Sequence, residues 1–296
     1  MMKKILFVLM MMFPVAAFAM PAKVQVIATF SILGDIVTHV GGDKVDLTIL
    51  VPADSDAHTF EPTPKESIAL SKAQVVFENG LHFEYFIDDL YHASGSSATR
   101  VVVTTGIKPR TFDVTGNINE IDPHAWHDVN NVIVMVKNIE HALIELDPAQ
   151  EVYYQQHADN YIAQLTALDQ WIENKVQALP NNQRKLVTSH DALGYFAARY
   201  DFKVIGAVIP SATTEAEDPS AKQMAALFDT IKSNGVKAVF IENMHSGKIA
   251  TVLAHEAHVK VAPALYTDAL GDKGSDGDSY IKMMQHNVQT IVEALK

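Results

Sequence analysis

The chain has 296 residues, 48% hydrophobic and 20% charged, a globular composition with room for one large or two smaller α/β units. Its 23 basic and 35 acidic residues give a net charge of −12, which disfavours nucleic acid and anionic membrane surfaces as partners. The absence of cysteine excludes disulfides, thiol catalysis, cysteine zinc sites and a lipidated cysteine, whereas 13 histidines is a high count.

Residues 1–19, MMKKILFVLMMMFPVAAFA, have the layout of a secretory signal peptide. Lys3 and Lys4 form the basic segment, residues 5–15 the apolar one, and Ala17-Phe18-Ala19 the cleavage pattern. The apolar run falls short of the ~20 residues a bilayer span needs. Cleavage after Ala19 removes two lysines and takes the net charge from −12 to −14. An exported, soluble, unlipidated periplasmic protein is expected.

Beyond the leader, short β-branched runs at 24–29, 45–51, 75–79 and 100–104 read as strands. Helical spacing fills 31–40, 64–73 and 83–92, and Asp128 can N-cap a helix running to about 145. Next comes 147–179, with no glycine and, after Pro148, no proline. Asp147 can cap it, Pro148 can take its first position, and Pro180 stops it. Tyr154, Ala158, Tyr161, Leu165, Leu168, Ile172, Val176 and Leu179 form an apolar stripe along it. A continuous helix there would be ~50 Å long at 1.5 Å per residue, a strut rather than a hinge. Strands are expected again at 186–189, 204–209, 238–242 and 259–264, with helices at 192–200, 221–233, 248–255 and 280–295. Alternating strands and helices predict a doubly wound parallel α/β fold. The division is a signal peptide (1–19), an N-terminal lobe (20–145), a linking helix (146–180) and a C-terminal lobe (181–296).

Four loops place a metal-capable side chain just after a strand. They carry His58 in 52–62, His124 in 122–128, His190 in 188–192 and Asp268 in 266–270. Ligands of doubly wound sheets bind beyond the carboxyl ends of strands, so the cleft between two halves could gather all four. Three imidazoles and a carboxylate make a plausible shell for a first-row divalent metal. Each residue also has an ordinary reading, since a lone loop histidine is usually just solvated. Ser189-His190-Asp191 are sequence neighbours, which rarely form a triad, and no G-x-S-x-G accompanies them. His124 and His127 are spaced H-x-x-H but lack the glutamate of H-E-x-x-H. His82, His92, His141, His157, His245, His255, His258 and His286 are expected on solvated faces.

Taken in order, His58-Thr59-Phe60-Glu61-Pro62-Thr63-Pro64, Asp122-Pro123-His124-Ala125-Trp126, Thr188-Ser189-His190-Asp191-Ala192-Leu193-Gly194-Tyr195-Phe196 and Tyr266-Thr267-Asp268-Ala269-Leu270 carry a family resemblance. The chain resembles the zinc/manganese receptors of bacterial ABC importers, from residues 26–32 to the terminal helix. The resemblance implies two α/β lobes on a rigid backbone helix, with the metal between them. It implies His58, His124, His190 and Asp268 as ligands, with Glu61 and Asp122 in capping or supporting roles. The implied partner is a membrane permease, a periplasmic metallochaperone is a further conceivable one, and a monomer that is not an enzyme is expected.

Three departures from the family matter. His127 stands where an apolar residue is usual, and an extra surface histidine is favoured over an auxiliary metal contact. Residues 106–121 hold no histidine, where many zinc members carry a His-rich loop. His190 stands where manganese members typically have glutamate. Imidazole is the softer donor, so Zn²⁺ is the expected cargo, with Mn²⁺ or Fe²⁺ the alternative. The rival class is a periplasmic zinc hydrolase, with three ligands, an open water position, and Glu61, Asp191 or Glu242 as base.

Overall fold

The computed structural model describes residues 22–114, 118–211, 213–214, 219–244 and 246–296, so the signal peptide expected at 1–19 lies outside the described residues. The first half runs β1 (Val24–Phe30), α1 (Ser31–Gly41), β2 (Val45–Val51), α2 (Pro64–Lys72), β3 (Val75–Glu78), α3 (Ile87–Ser94) and β4 (Thr99–Val102). The four strands form a parallel sheet in the order β2-β1-β3-β4. β1 and β3 are apolar and buried on both faces, as a parallel sheet covered by helices requires.

One element lies outside the predicted set, an antiparallel hairpin of β5 (Arg110–Val114) and β6 (Ile118–Asp122). Apolar Phe112, Val114, Ile118 and Ile121 among polar residues around Gly116 carry a hairpin signal, weakened by the charges of Arg110, Asp113, Glu120 and Asp122. α4 (Val129–Leu146) starts as predicted, with the Asp128 carboxylate accepting the Asn130 N–H at 2.9 Å.

The linking helix is shorter than expected. Pro148 opens a 3₁₀ turn, Pro148–Gln150, that folds the chain back against α4, and α5 begins only at Glu151 (Glu151–Val176). Asp147 therefore ends α4, donating its N–H to Leu143, instead of capping α5. Over 26 residues α5 is about 39 Å long. All eight stripe residues, Tyr154 to Leu179, are buried.

The second half runs β7 (Lys185–His190), α6 (Gly194–Tyr200), β8 (Lys203–Ile209), α7 (Ala221–Asn234), β9 (Ala238–Glu242), α8 (Lys248–Ala257), β10 (Lys260–Leu265) and α9 (Tyr280–Leu295). Its parallel sheet has the order β10-β9-β7-β8. In both sheets the first strand of the half lies between the second and the third, so the two halves share one winding without a visible sequence repeat. The largest hydrophobic core runs from Val26 and Phe77, through Tyr154, Leu165 and Ile172 of α5, to Phe240 and Tyr280, with a smaller cluster on the outer face of each sheet. Asp169 of α5 adds a polar tie, binding Arg199 and accepting the Tyr200 hydroxyl at 2.8 Å. Among the described residues no helix is long and apolar enough to cross a membrane.

Candidate metal centre

Each of the four loops is braced before it presents its side chain. After β2, the Asp56 carboxylate accepts the His58 N–H at 2.8 Å, and the His58 ring stands edge-on to Phe83 at 4.9 Å. After β6, Asp122 Oδ1 accepts both the backbone N–H of His124 (3.0 Å) and its Nδ1–H (2.9 Å). His190 closes β7, and Glu242 at the end of neighbouring β9 takes its N–H (2.9 Å) and its Nδ1–H (2.6 Å). In both histidines the carboxylate fixes the proton on Nδ1 and leaves the Nε2 lone pair facing inward. Asp268 follows β10 in a loop held by Trp126 Nε1–H to the Thr267 carbonyl (2.8 Å) and by the Leu270 N–H to Ser31 Oγ (3.0 Å).

The four side chains converge. His124 Nε2 and His190 Nε2 are 3.3 Å apart. Asp268 lies 3.1 Å from His190 Nε2, 3.3 Å from His58 Nε2 and 3.5 Å from His124 Nε2. One ligand atom from each falls within 4.8 Å of all the others. His58 is 3% exposed and the other three 0%. Both Asp268 oxygens and His58 Nε2 are buried without a hydrogen-bond partner, so these atoms crowd a common point without satisfying one another. Donors held 2.0–2.1 Å from a tetrahedral ion stand about 3.4 Å apart, close to the His124–His190 separation and to the three from Asp268.

Electrostatics describe the same cluster. Burial opposes charge on His124, but the Asp268 and Asp122 carboxylates outweigh it and hold its pKa at about 9. Burial likewise opposes charge on His190, and Glu242 and Asp268 push its pKa well above the ordinary imidazole range. Burial would raise Asp268, yet His190 and His124 hold it well below the usual carboxylate range. The pocket is built for positive charge, which protons supply until a cation replaces them.

Two expectations are corrected. His127 is not a surface residue: the 3₁₀ turn Ala125–His127 tucks it beside Trp126, where it is 0% exposed and outside the four-residue cluster. Neither of its ring nitrogens finds a well-aligned hydrogen bond, and burial, with His124 nearby, pushes its pKa down to about 3. Glu61 is exposed and supports nothing at the site. The capping box of α2 is made by Thr63 and Glu66 instead. Asp122 has the supporting role expected of it.

Of the remaining histidines, His82, His92, His141, His255 and His258 are exposed. His157 and His286 are half-buried and contact the carbonyls of His39 and Ala264, and His245 lies outside the described residues. Both Glu242 oxygens are engaged, by His190 and by the Thr267 hydroxyl at 3.0 Å, so Glu242 is a brace and not a free base. Asp191 is half-buried, and burial, with Asp122 close by, pushes its pKa up to about 6.

Sequence reasoning missed the Glu242–His190 pairing, although an acid ending the apolar strand 238–242 was a usable signal. It also missed Glu84, which accepts from Thr29 Oγ1 (2.7 Å), Asn79 N (2.6 Å) and Gly80 N (3.1 Å) and so pins the turn that carries Phe83 to His58. Nothing in the sequence distinguishes Glu84 from an ordinary helix-start acid.

Two α/β units braced by one helix, with three buried histidines and an aspartate meeting between them, define the class of metal-binding solute receptors. Residues 26–294 match the family described as zinc-uptake complex component A, periplasmic (ZnuA), and the chain belongs to that family. The manganese-binding lipoprotein MntA of Halalkalibacterium halodurans is 33% identical over 92% of this chain and 88% of its own length. The manganese ABC transporter substrate-binding lipoprotein ScaA of Streptococcus gordonii is 31% identical over 93% and 89%. Among solved structures, the periplasmic zinc-binding protein TroA of Treponema pallidum superposes with a TM-score of 0.85 at 31% identity, covering 93% of this chain and 99% of that one. A manganese-bound periplasmic metal-binding protein of Candidatus Liberibacter asiaticus gives 0.83 at 28% identity, covering 93% of this chain and 100% of that one.

The chain is thus a substrate-binding receptor of a metal ABC importer and not an enzyme, and its partners are the metal ion and the transporter's permease and ATPase. The lipoprotein names of the relatives run against the expectation of an unlipidated chain.

Proposed function

We propose that this receptor captures Zn²⁺ in the periplasm, holds it with His58, His124, His190 and Asp268, and hands it to its permease. The lobes would be 20–145 and 181–296, with 146–180 linking them. The observation that carries the reading is the ligand set itself: three inward-facing imidazole nitrogens and one carboxylate, 3.1–3.5 Å from neighbour to neighbour. A nitrogen-rich shell of that size favours Zn²⁺ over Mn²⁺ on both donor softness and the Irving–Williams order. Mn²⁺ is the second reading, because relatives named for manganese share the family and Asp268 has two unpartnered oxygens to raise the coordination number.

The deciding experiment is competition of Zn²⁺ against Mn²⁺ for the metal-stripped mature chain, with His190→Glu run beside it. Zinc preference that weakens in the variant is expected. Manganese preference in the unmodified chain would reassign the cargo, and an unaltered variant would remove His190 from the shell.

A further inference from the structure

A cavity of about 250 Å³ lies between the carboxyl ends of β7 and β8 and the first turn of α8. Side chains alternate along β7. Leu186 joins the core between the lobes and His190 the metal cluster, whereas Val187 packs towards α8 with Ala250 and Leu253. Ser189 shares the Val187 face and lines the cavity, with His190 at its inner wall. The polar lining is Ser189, His190, Thr214, Ser246 and Lys248, hydroxyls and nitrogens with no carboxylate among them.

Three observations bear on what fits there. Ser189 is 8% exposed, and its buried Oγ has no hydrogen-bond partner, an arrangement that costs stability unless something occupies it. α8 starts after Gly247 (φ 58°) with no side-chain cap, and its first helical bond runs from Thr251 N–H to the Gly247 carbonyl at 2.8 Å. The N–H groups of Lys248, Ile249 and Ala250 therefore have no acceptor within the helix. Lys248 is exposed at this helix end, lines the cavity and makes no ion pair among the described residues.

Among the described residues, two acids close to this positive end are already engaged. Glu242 is turned to His190 on the other face of the sheet, and Asp56 takes the Thr214 hydroxyl at 2.6 Å. A helix N-terminus and a lysine repel cations, so the cavity is unsuited to metal passage.

We propose that this cavity is an anion site for a small oxyanion of the sulfate or phosphate class. The first-turn N–H groups of α8 supply the main contact, Ser189 Oγ a buried donor, and Lys248 the counter-charge. Its proposed contacts include none of the four clustered side chains, although His190 lines the same cavity, and the proposal stands whether or not zinc is the cargo.

The test is a titration of the ¹⁵N-labelled mature chain with sodium sulfate at constant ionic strength, in metal-free and zinc-loaded forms. Sulfate is the probe because it does not precipitate zinc. Saturable shifts of the Ser189, Lys248, Ile249 and Ala250 amides are expected. Lys248→Ala and Ser189→Ala should each weaken sulfate binding by about fivefold, with zinc affinity in the same preparations unaltered. Ser189→Ala deletes an unpartnered hydroxyl and is expected to fold. Shifts that fail to saturate by about 50 mM sulfate, or saturation unaltered in both variants, would overturn the proposal.

Discussion

Two carboxylates orient two histidines of the proposed metal site. Glu242 and Asp122 each fix a ring through Nδ1, at 2.6 and 2.9 Å, and neither is itself in the cluster. Glu242→Gln should therefore weaken metal binding by about 10–100-fold while the fold survives, measured by competition with a chromogenic chelator. Unchanged affinity would mean that the geometry of β7 alone orients His190. His127 makes the opposite prediction. Its folded pKa, about 3, lies below the ordinary value near 6.5, so folding excludes a proton that the unfolded chain takes up. Stability from this residue is complete above pH 6.5 and is lost as pH falls towards 3. His127→Leu should flatten that acid limb in denaturant titrations between pH 7 and 4, and an acid limb as steep as before would refute the assignment. The residue scale was legible where a clustered side chain follows a strand in a polar loop, as His58 and Asp268 do. It was illegible at His127, because a 3₁₀ turn sets burial without leaving a periodic pattern.

At the scale of elements, the loop after β2 ties the two halves together at the rim of the metal cluster. Asp54 receives Asn243 Nδ2–H at 2.7 Å and the Asp272 N–H at 3.0 Å, and its own N–H reaches the Leu270 carbonyl at 2.8 Å. Asp54 sits at φ 51°, a conformation that aspartate tolerates and glycine adopts freely. Asp54→Gly thus removes the carboxylate without straining the loop. Because these bonds are solvent-exposed, the cost in stability should stay near 1 kcal/mol. The metal should nevertheless leave faster, since the same loop carries His58 and the Asp272 segment follows Asp268. Stopped-flow release into excess chelator reads this directly, and an unaltered release rate would show that the tie does not hold the site shut. Sequence periodicity found the strands of both parallel sheets because buried parallel strands are short, continuous and β-branched. It passed over β5–β6, whose charged residues resemble a loop, although that hairpin delivers Asp122 to His124.

At the scale of the whole molecule, α5 decides how the receptor can move. Its stripe was read correctly from spacing alone, since every stripe residue from Tyr154 to Leu179 is buried. The sequence could not show that the stripe belongs to one core extending into both sheets, which depends on which faces meet in space. Closing the lobes like a clamshell would break that core, so metal capture and release by rearranged loops is the cheaper route. Three outcomes follow from a shared core. Calorimetry of the metal-free chain should give one cooperative transition, because α5 is part of the largest core, which both sheets share. Asp169→Ala, which leaves the Tyr200 hydroxyl unpaired and Arg199 with Glu173 alone on α5, should lower that transition without splitting it, at a cost of about 2 kcal/mol. Saturating zinc should raise the transition by mass action, about 4 kcal/mol at 1,000 times the dissociation constant, with the radius of gyration in solution scattering unaltered. Two separable transitions, or a radius that contracts on metal binding, would mean that the halves move as independent bodies and that α5 is a hinge.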